Sequence, residues 1–398
     1  PYGMCHSVLS NYDEHTEYDL SDGPTLEYNC NIEPWDYQRD TVNKVISAPY
    51  GGVVVMPCGS GKTQVALACV AKMGVRTLWI THTADLLHQS LNRARASFGI
   101  DDECFGTVTE GKVNISSHIT FATVQTLSKI DLSGYSKYWD MVIVDECHKA
   151  IGAPTRVMMF YKVLSQLAAR YKLGITATPD RADGLEDAMY ALLGPTIHEV
   201  TREQVADHTV PVLVSIINTG YEPNWDDITA PDGTIDYSRA QSVMAENRAR
   251  NVLITATLKL LCEDTRDRSV LVLSDRLDQL EELRRMLNVE DSAMLTGRVK
   301  GGDRKVILDR MRCGDIPILF ATYQLAKEGL DIPCLTDVVF AMPKKDMSTV
   351  IQSAGRCSRK HGNKKYGRVW DFVDGSNMYK RMAKARKSHY RKAGFKVL

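Results

Sequence analysis

Val53-Val54-Val55-Met56-Pro57-Cys58-Gly59-Ser60-Gly61-Lys62-Thr63 joins a β-branched run to a glycine-bearing turn and then to a helix-forming segment. Residues 53–56 read as a buried strand and residues 63–73 as a helix. Glycines between them let successive backbone N–H groups point at phosphate oxygens, and the helix N-terminus adds partial positive charge. Lys62 is placed to reach the β- and γ-phosphates of a nucleotide, and the Thr63 hydroxyl to hold Mg2+. Pro57, Cys58, Gly59, Ser60, Gly61, Lys62 and Thr63 are therefore the expected nucleotide loop, with Met56 where the usual pattern has a glycine. Alone, this loop implies only that the chain binds a nucleoside triphosphate.

Downstream, the apolar run Met141-Val142-Ile143-Val144 ends in Asp145-Glu146-Cys147-His148. A carboxylate at the C-terminal edge of a buried parallel strand faces the same crevice as a phosphate loop. Asp145 is expected to bind Mg2+ through water, and Glu146 to orient and polarise the attacking water. Phosphoryl transfer depends mainly on such positioning and charge neutralisation.

Short apolar runs alternate with amphipathic stretches along the whole chain, the pattern of an α/β protein. Residues 53–56, 77–81, 118–122, 141–144 and 172–176 form one set of expected parallel strands. Residues 269–274, 293–296, 316–322, 337–341 and 367–373 form a second. Two sets imply two doubly wound sheets, and 398 residues suit about two domains of roughly 150–200 residues. The expected organisation is an acidic N-terminal segment (1–33), a nucleotide domain (34–204), a joint (205–250), a second domain (251–375) and a basic tail (376–398). The joint is inferred from Pro211, Gly220, Pro223, Pro231 and Gly233.

Apolar content of 44% and charged content of 25% fit a soluble globular protein. No apolar run approaches the roughly 18–20 residues of a membrane span, and no signal peptide follows Pro1. The ten cysteines show no C-x-x-C pair and no zinc spacing. They imply reduced thiols, hence a cytoplasmic, nucleoid-associated or nuclear setting. Zero net charge conceals an asymmetry. Residues 1–33 hold seven acids and no Lys or Arg, and residues 376–398 hold eight bases and no acid. That basic stretch suits a phosphate backbone, or else is a solvated helix face.

Asp145-Glu146-Cys147-His148 resembles the DExH box of superfamily two helicases and translocases, and neighbouring motifs follow in the expected order over about residues 35–375. Tyr37-Gln38 resembles the glutamine motif that reads adenine. Residues 80–89 and Phe121-Ala122-Thr123-Val124-Gln125-Thr126 resemble strand-contacting motifs, and Gly174-Ile175-Thr176-Ala177-Thr178-Pro179 resembles the coupling motif III. In the second half, residues 270–274 and Leu295-Thr296-Gly297-Arg298 resemble motif IV and its companion. Residues 320–333, with Gly329 and Asp331, resemble motif V. Gln352-Ser353-Ala354-Gly355-Arg356-Cys357-Ser358-Arg359 matches Q-x-x-G-R-x-x-R at every defined position.

The resemblance is nearest to the XPB-like branch and the phage UvsW-like helicases, through residues 178–183 and 193–199. Ala182 stands where XPB-like proteins carry Glu, and too few residues precede Trp35 for the large N-terminal domain of full-length XPB. The resemblance implies two tandem RecA-like domains that hydrolyse ATP with Mg2+. It further implies a monomeric DNA helicase moving 3′ to 5′ on forked or branched substrates in repair, recombination or replication. It assigns catalysis to Lys62, Asp145, Glu146, Gln352, Arg356 and Arg359, and nucleotide binding also to Gln38, Gly329 and Asp331. Thr83, Thr123, Arg298 and Thr322 are the candidate phosphate contacts on the strand, since short hydroxyls and backbone N–H groups suit gripping that reads the sugar–phosphate chain rather than base edges. Each threonine also fits as an ordinary β-branched strand residue. An arginine delivered to the γ-phosphate is worth about 10³–10⁵ in kcat, or roughly 4–7 kcal/mol. An RNA-dependent ATPase and a nucleotide-switched clamp without unwinding are the alternative functions.

Overall fold

The computed structural model describes residues 20–150, 154–177, 186–263, 268–289, 291–299, 301–327, 330 and 332–398. The chain divides into two units, Pro1–Val205 and Ala206–Leu398.

The first unit is built on β1 (Gly51–Val55), β2 (Thr77–Thr81), β3 (Phe105–Thr109), β4 (Lys112–Asn114), β5 (Ile119–Thr123), β6 (Met141–Asp145), β7 (Tyr171–Thr176) and β8 (Thr196–Glu199). These lie in the order β4-β3-β5-β2-β6-β7-β1-β8. Every pairing is parallel except the β3–β4 hairpin. Alternate residues feed two separate cores. Val54, Trp79, Phe121 and Ile143 enter one, and Val53, Leu78, Ala122 and Val142 enter the other. Burial on both faces is why these strands read as unbroken apolar runs.

The second unit carries β9 (Val212–Asn218), β10 (Val270–Ser274), β11 (Ser292–Leu295), β12 (Ile318–Thr322), β13 (Asp337–Phe340), β14 (Gly367–Val373) and β15 (Lys396–Val397). Their order is β11-β12-β10-β13-β14-β9-β15, parallel throughout. It too has two cores, with Leu271, Leu319 and Val338 in one and Val272, Phe320 and Val339 in the other. The expected class, two doubly wound parallel sheets, is the class observed.

Two segments are integrated differently from expectation. Residues 205–250, expected as a joint, supply β9, which runs beside the whole of β14. The break between units falls at the start of that segment, between Val205 and Ala206. Its prolines and glycines bracket the strand rather than interrupt it: Pro211 precedes β9, and Gly220, Pro223, Pro231 and Gly233 lie beyond it. Residues 376–398, expected as a tail, form the helix Asn377–Lys392 and then β15, which pairs with β9.

Arg386, one of the eight bases, is buried and grips Asp371 of β14 through Nε at 2.8 Å and Nη2 at 2.7 Å. The Tyr390 hydroxyl donates to the same carboxylate at 2.9 Å. A second buried pair joins Arg250 to Asp374 at 2.8 Å. Among the described residues the cysteines are free thiols, and no helix is long and apolar enough to cross a membrane.

Candidate nucleotide site and nucleic-acid contacts

β1 delivers the chain to the loop. The Met56 N–H donates to the Thr176 carbonyl at 2.8 Å, extending the β1–β7 ladder by one residue. The Met56 side chain is fully buried in the core with Val54 and Ile175. A bulky residue at the usual glycine position is therefore accommodated by the core instead of the loop. The turn closes through Ser60, whose hydroxyl donates to the Pro57 carbonyl at 2.7 Å. Gly59 and Gly61 adopt φ of 85° and 78°, the left-handed region open to glycine. At Gly61 a Cβ would also lie 2.4 Å from the Gln38 amide nitrogen. The helix Lys62–Met73 then begins with no acid in its first turn, so none of its own first-turn side chains offsets the N-terminal partial charge.

Tyr37 and Gln38 brace this loop. The Tyr37 hydroxyl and Gln38 Nε2 both donate to the Ser60 carbonyl at 2.9 Å. Gln38 Oε1 accepts from the Trp35 N–H at 3.0 Å. The sequence assigned Gln38 to adenine; its bracing of the loop was not legible there.

β6 lies between β2 and β7 and carries Asp145 to the carboxyl edge of the sheet. Burial, and then the adjacent Glu146 carboxylate, push the Asp145 carboxyl up to about 6, against the pull of Lys62. Glu146 adopts φ of 52°, a left-handed conformation costing about 1–3 kcal/mol for a side chain of this kind. That turn brings Glu146 Oε1 to 3.8 Å from Lys62 Nζ. Glu146 Oε2 lies 3.3 Å from His148 Nδ1, and that nitrogen shares a hydrogen bond with Thr176 Oγ1 at 2.8 Å. A polar chain thus runs from the phosphate loop through Glu146 and His148 to motif III. The last two residues of that motif, Thr178 and Pro179, lie outside the described residues, as does the whole 178–183 stretch with Ala182.

The donors fit a divalent cation that arrives with a nucleotide. Asp145 and Thr63 offer a carboxylate and a hydroxyl, hard oxygen ligands that suit Mg2+, which keeps waters and bridges phosphates. Among the described residues no cluster of three or more His, Cys, Asp or Glu could hold a metal by itself.

In the second unit, Gln352 sits on the helix Met347–Ala354 and is 5% exposed. Among the described residues neither of its buried amide atoms has a hydrogen-bond partner. A buried amide left unsatisfied is costly unless something else completes it. Half-buried Arg356 donates to the carbonyls of Ala326 at 3.0 Å and Leu330 at 3.1 Å, the motif V segment. Arg359 is half-buried, and its backbone bridges Thr209. Gly329 and Asp331 lie outside the described residues.

The four candidate strand contacts all follow or end strands at the carboxyl edge of their own sheet. Thr83 caps the helix Ala84–Ser97, accepting from the Leu86 N–H at 3.4 Å. Thr123 ends β5, and its largely buried hydroxyl donates to Thr126 Oγ1 at 3.0 Å. The segments after β2 and β5 are tied together by Gln125, which donates to the His82 carbonyl at 2.8 Å. Thr322 ends β12 half-buried, and Arg298 is exposed beyond β11. Of the four, Arg298 presents the most exposed side chain, whereas the Thr123 hydroxyl is engaged internally.

Comparison with known proteins adds the family. Residues 31–181 match the model described as type III restriction enzyme, res subunit. Residues 252–361 match the helicase conserved C-terminal domain. A protein of Acanthamoeba polyphaga mimivirus, named as an ATP-dependent RNA helicase, is 28% identical over 98% of this chain and 72% of its own length. The DNA 3'-5' helicase XPB of Mycobacterium tuberculosis is 25% identical over 78% of this chain, which spans 56% of that relative. The Pyrococcus furiosus Hef helicase domain superposes with a TM-score of 0.58 at 16% identity, over 89% of this chain and 98% of that one. Motifs in register on two RecA-like sheets, with a helicase C-terminal match on the second, make the chain a member of the superfamily two helicases with XPB-like affinity.

Proposed function

We propose that this ATP-hydrolysing helicase acts on DNA, moving 3′ to 5′ with forked or branched DNA as its substrate. The observation that carries the reading is the chain Lys62–Glu146–His148–Thr176, which links the phosphate loop to motif III within hydrogen-bonding or ion-pair range. The DNA assignment is supported by the XPB relative's name.

Backbone N–H groups of the loop and the helix N-terminus bind the phosphates. Thr63 and Asp145 would hold a magnesium ion, which neutralises charge on the β- and γ-phosphates. Lys62 exchanges its Glu146 partner for the γ-phosphate. The freed Glu146 carboxylate then orients the attacking water and accepts its hydrogen bond. His148 moves with Glu146, so the same exchange alters its bond to Thr176 and reports nucleotide state to motif III. Gln352, Arg356 and Arg359 are the polar and cationic residues of the Q-x-x-G-R-x-x-R motif, to which the family resemblance assigns a part in catalysis.

ATPase and strand displacement measured across single-stranded, forked and branched DNA and structured RNA test the reading. We expect DNA, forked substrates above all, to stimulate turnover. Glu146→Gln should still bind ATP but lose about 10²–10⁴-fold in kcat, the usual worth of a positioned base. Stimulation by RNA alone would favour the second reading, an RNA helicase, for which the mimivirus relative's name speaks. Stimulated ATPase without displacement would indicate a translocase or clamp.

A further inference from the structure

The helix Asn377–Lys392 presents a face that the motor site does not use. Its buried side is fixed: Arg386 and Tyr390 hold Asp371, and Ala383 packs inward with them. Fixing Arg386 turns the other bases outward. Lys380, Arg381, Lys384, Arg391 and Lys392 are exposed, and Lys387 is half-buried. Lys380, Lys384, Lys387 and Arg391 recur at helical spacings of four, three and four, so they share one face. Lys396 is exposed just beyond.

Two other surface helices of this unit each carry a base offset by an acid. Arg285 pairs with Glu282 and Arg312 with Asp309, each one turn apart. On Asn377–Lys392 no acid is available at any position, since residues 376–398 contain none. Among the described residues Lys380, Lys384, Lys387, Arg391 and Lys392 form no ion pair. The neighbouring acid, Asp346, acts electrostatically on His389 and is engaged with Thr349 at 2.5 Å. Like charges one turn apart destabilise a helix. A row of them on a helix pinned from below is therefore a surface whose counter-charge comes from outside.

We propose that this face is a second nucleic-acid contact, one that grips the sugar–phosphate backbone without reading sequence. The twelve residue steps from Lys380 to Lys392 span about 18 Å, or about five phosphates of one strand of a duplex at roughly 3.4 Å each. The partner is committed by chemistry: a regular polyanion of that pitch, held by exposed cations. The proposal rests on the chain being a nucleic-acid motor, and it adds an anchor outside the strand-end residues.

The test uses the full chain with Lys380, Lys384, Arg391 and Lys392 all changed to Gln. Binding of fluorescently labelled forked DNA, single-stranded DNA and an RNA hairpin is measured from about 50 to 200 mM salt. Affinity should fall on each, and the slope of log K against log salt should flatten by about 0.7–0.9 for each phosphate that the helix no longer neutralises. ATPase without nucleic acid should be unchanged, and the DNA concentration giving half-maximal stimulation should rise. Lys380→Arg/Lys384→Arg/Lys392→Arg should behave as the parent. Unchanged affinity and slope in the Gln variant would overturn the proposal. If that variant does not fold, acetylation of the parent decides: bound DNA should protect Lys380, Lys384 and Lys392 but not Lys112, and equal reactivity overturns it. Failure of the motor reading is separately visible, as an ATPase that no nucleic acid stimulates while salt-dependent binding persists.

Discussion

Asp145 is the residue whose environment and chemistry are most tightly opposed. Burial raises its carboxyl from the ordinary 3.8 to about 6. An acid raised on folding favours the fold fully only below its unfolded value, and that contribution is lost as pH climbs through the folded one. At neutral pH the ionised group is thus held at a cost, which a cation at the carboxylate relieves. ATP turnover should accordingly show an acid limb near pH 6, because protonated Asp145 is a poor Mg2+ ligand. Raising Mg2+ should move that limb to lower pH. kcat/KM measured against pH at several Mg2+ concentrations checks both, and a limb at the ordinary carboxylate value, insensitive to Mg2+, would refute the assignment. The identity of this residue was legible from its place after an apolar run. Its perturbation was not, because burial and the left-handed turn at Glu146 are set by chain packing around β6.

At the scale of elements, legibility followed burial. β1, β2, β5, β6 and β10 to β14 are largely apolar because residues on both faces enter or pack against a core. β4 and β8 lie at the edges of their sheet and are largely exposed or half-buried, so their sequences carry no such run. β9 is apolar yet hidden among turn residues, and the basic helix was hidden by its charge. What its composition could not reveal is that Arg386 is structural. Asp371→Asn should leave the Arg386 guanidinium buried without its counter-charge and remove an acceptor from Tyr390. The expected loss is about 3–5 kcal/mol, read as a lower denaturant midpoint. The triple change Asp371→Leu/Arg386→Met/Tyr390→Phe should recover much of it, since apolar replacements of buried pairs are often neutral. A triple variant no more stable than Asp371→Asn would show that the ion pair is not the source of the cost.

The whole molecule is built on two pairs of cores rather than on one core. The two clusters of the first unit draw on residues from Tyr28 to Val205, and those of the second on residues from Val212 to Phe395. The two strand sets announced this division, whereas the break at Val205 was obscured by β9 joining the second sheet. A fragment ending at Val205 keeps every strand of its sheet, the loop Pro57–Thr63, Asp145 and Glu146. It lacks Gln352, Arg356 and Arg359. Residues 1–205 should therefore fold alone and bind ATP with Mg2+, gaining about 2.7 kcal/mol at a ligand concentration of 100 Kd. Turnover should fall by about 10³–10⁵-fold without the arginines. Residues 206–398, which keep β9 and β15, should fold alone and gain nothing from ATP. Melting of both fragments with and without Mg-ATP checks this. If the second fragment were stabilised by ATP, nucleotide affinity would not reside in the loop, and if the first hydrolysed ATP at the full rate, the arginines would have no catalytic part.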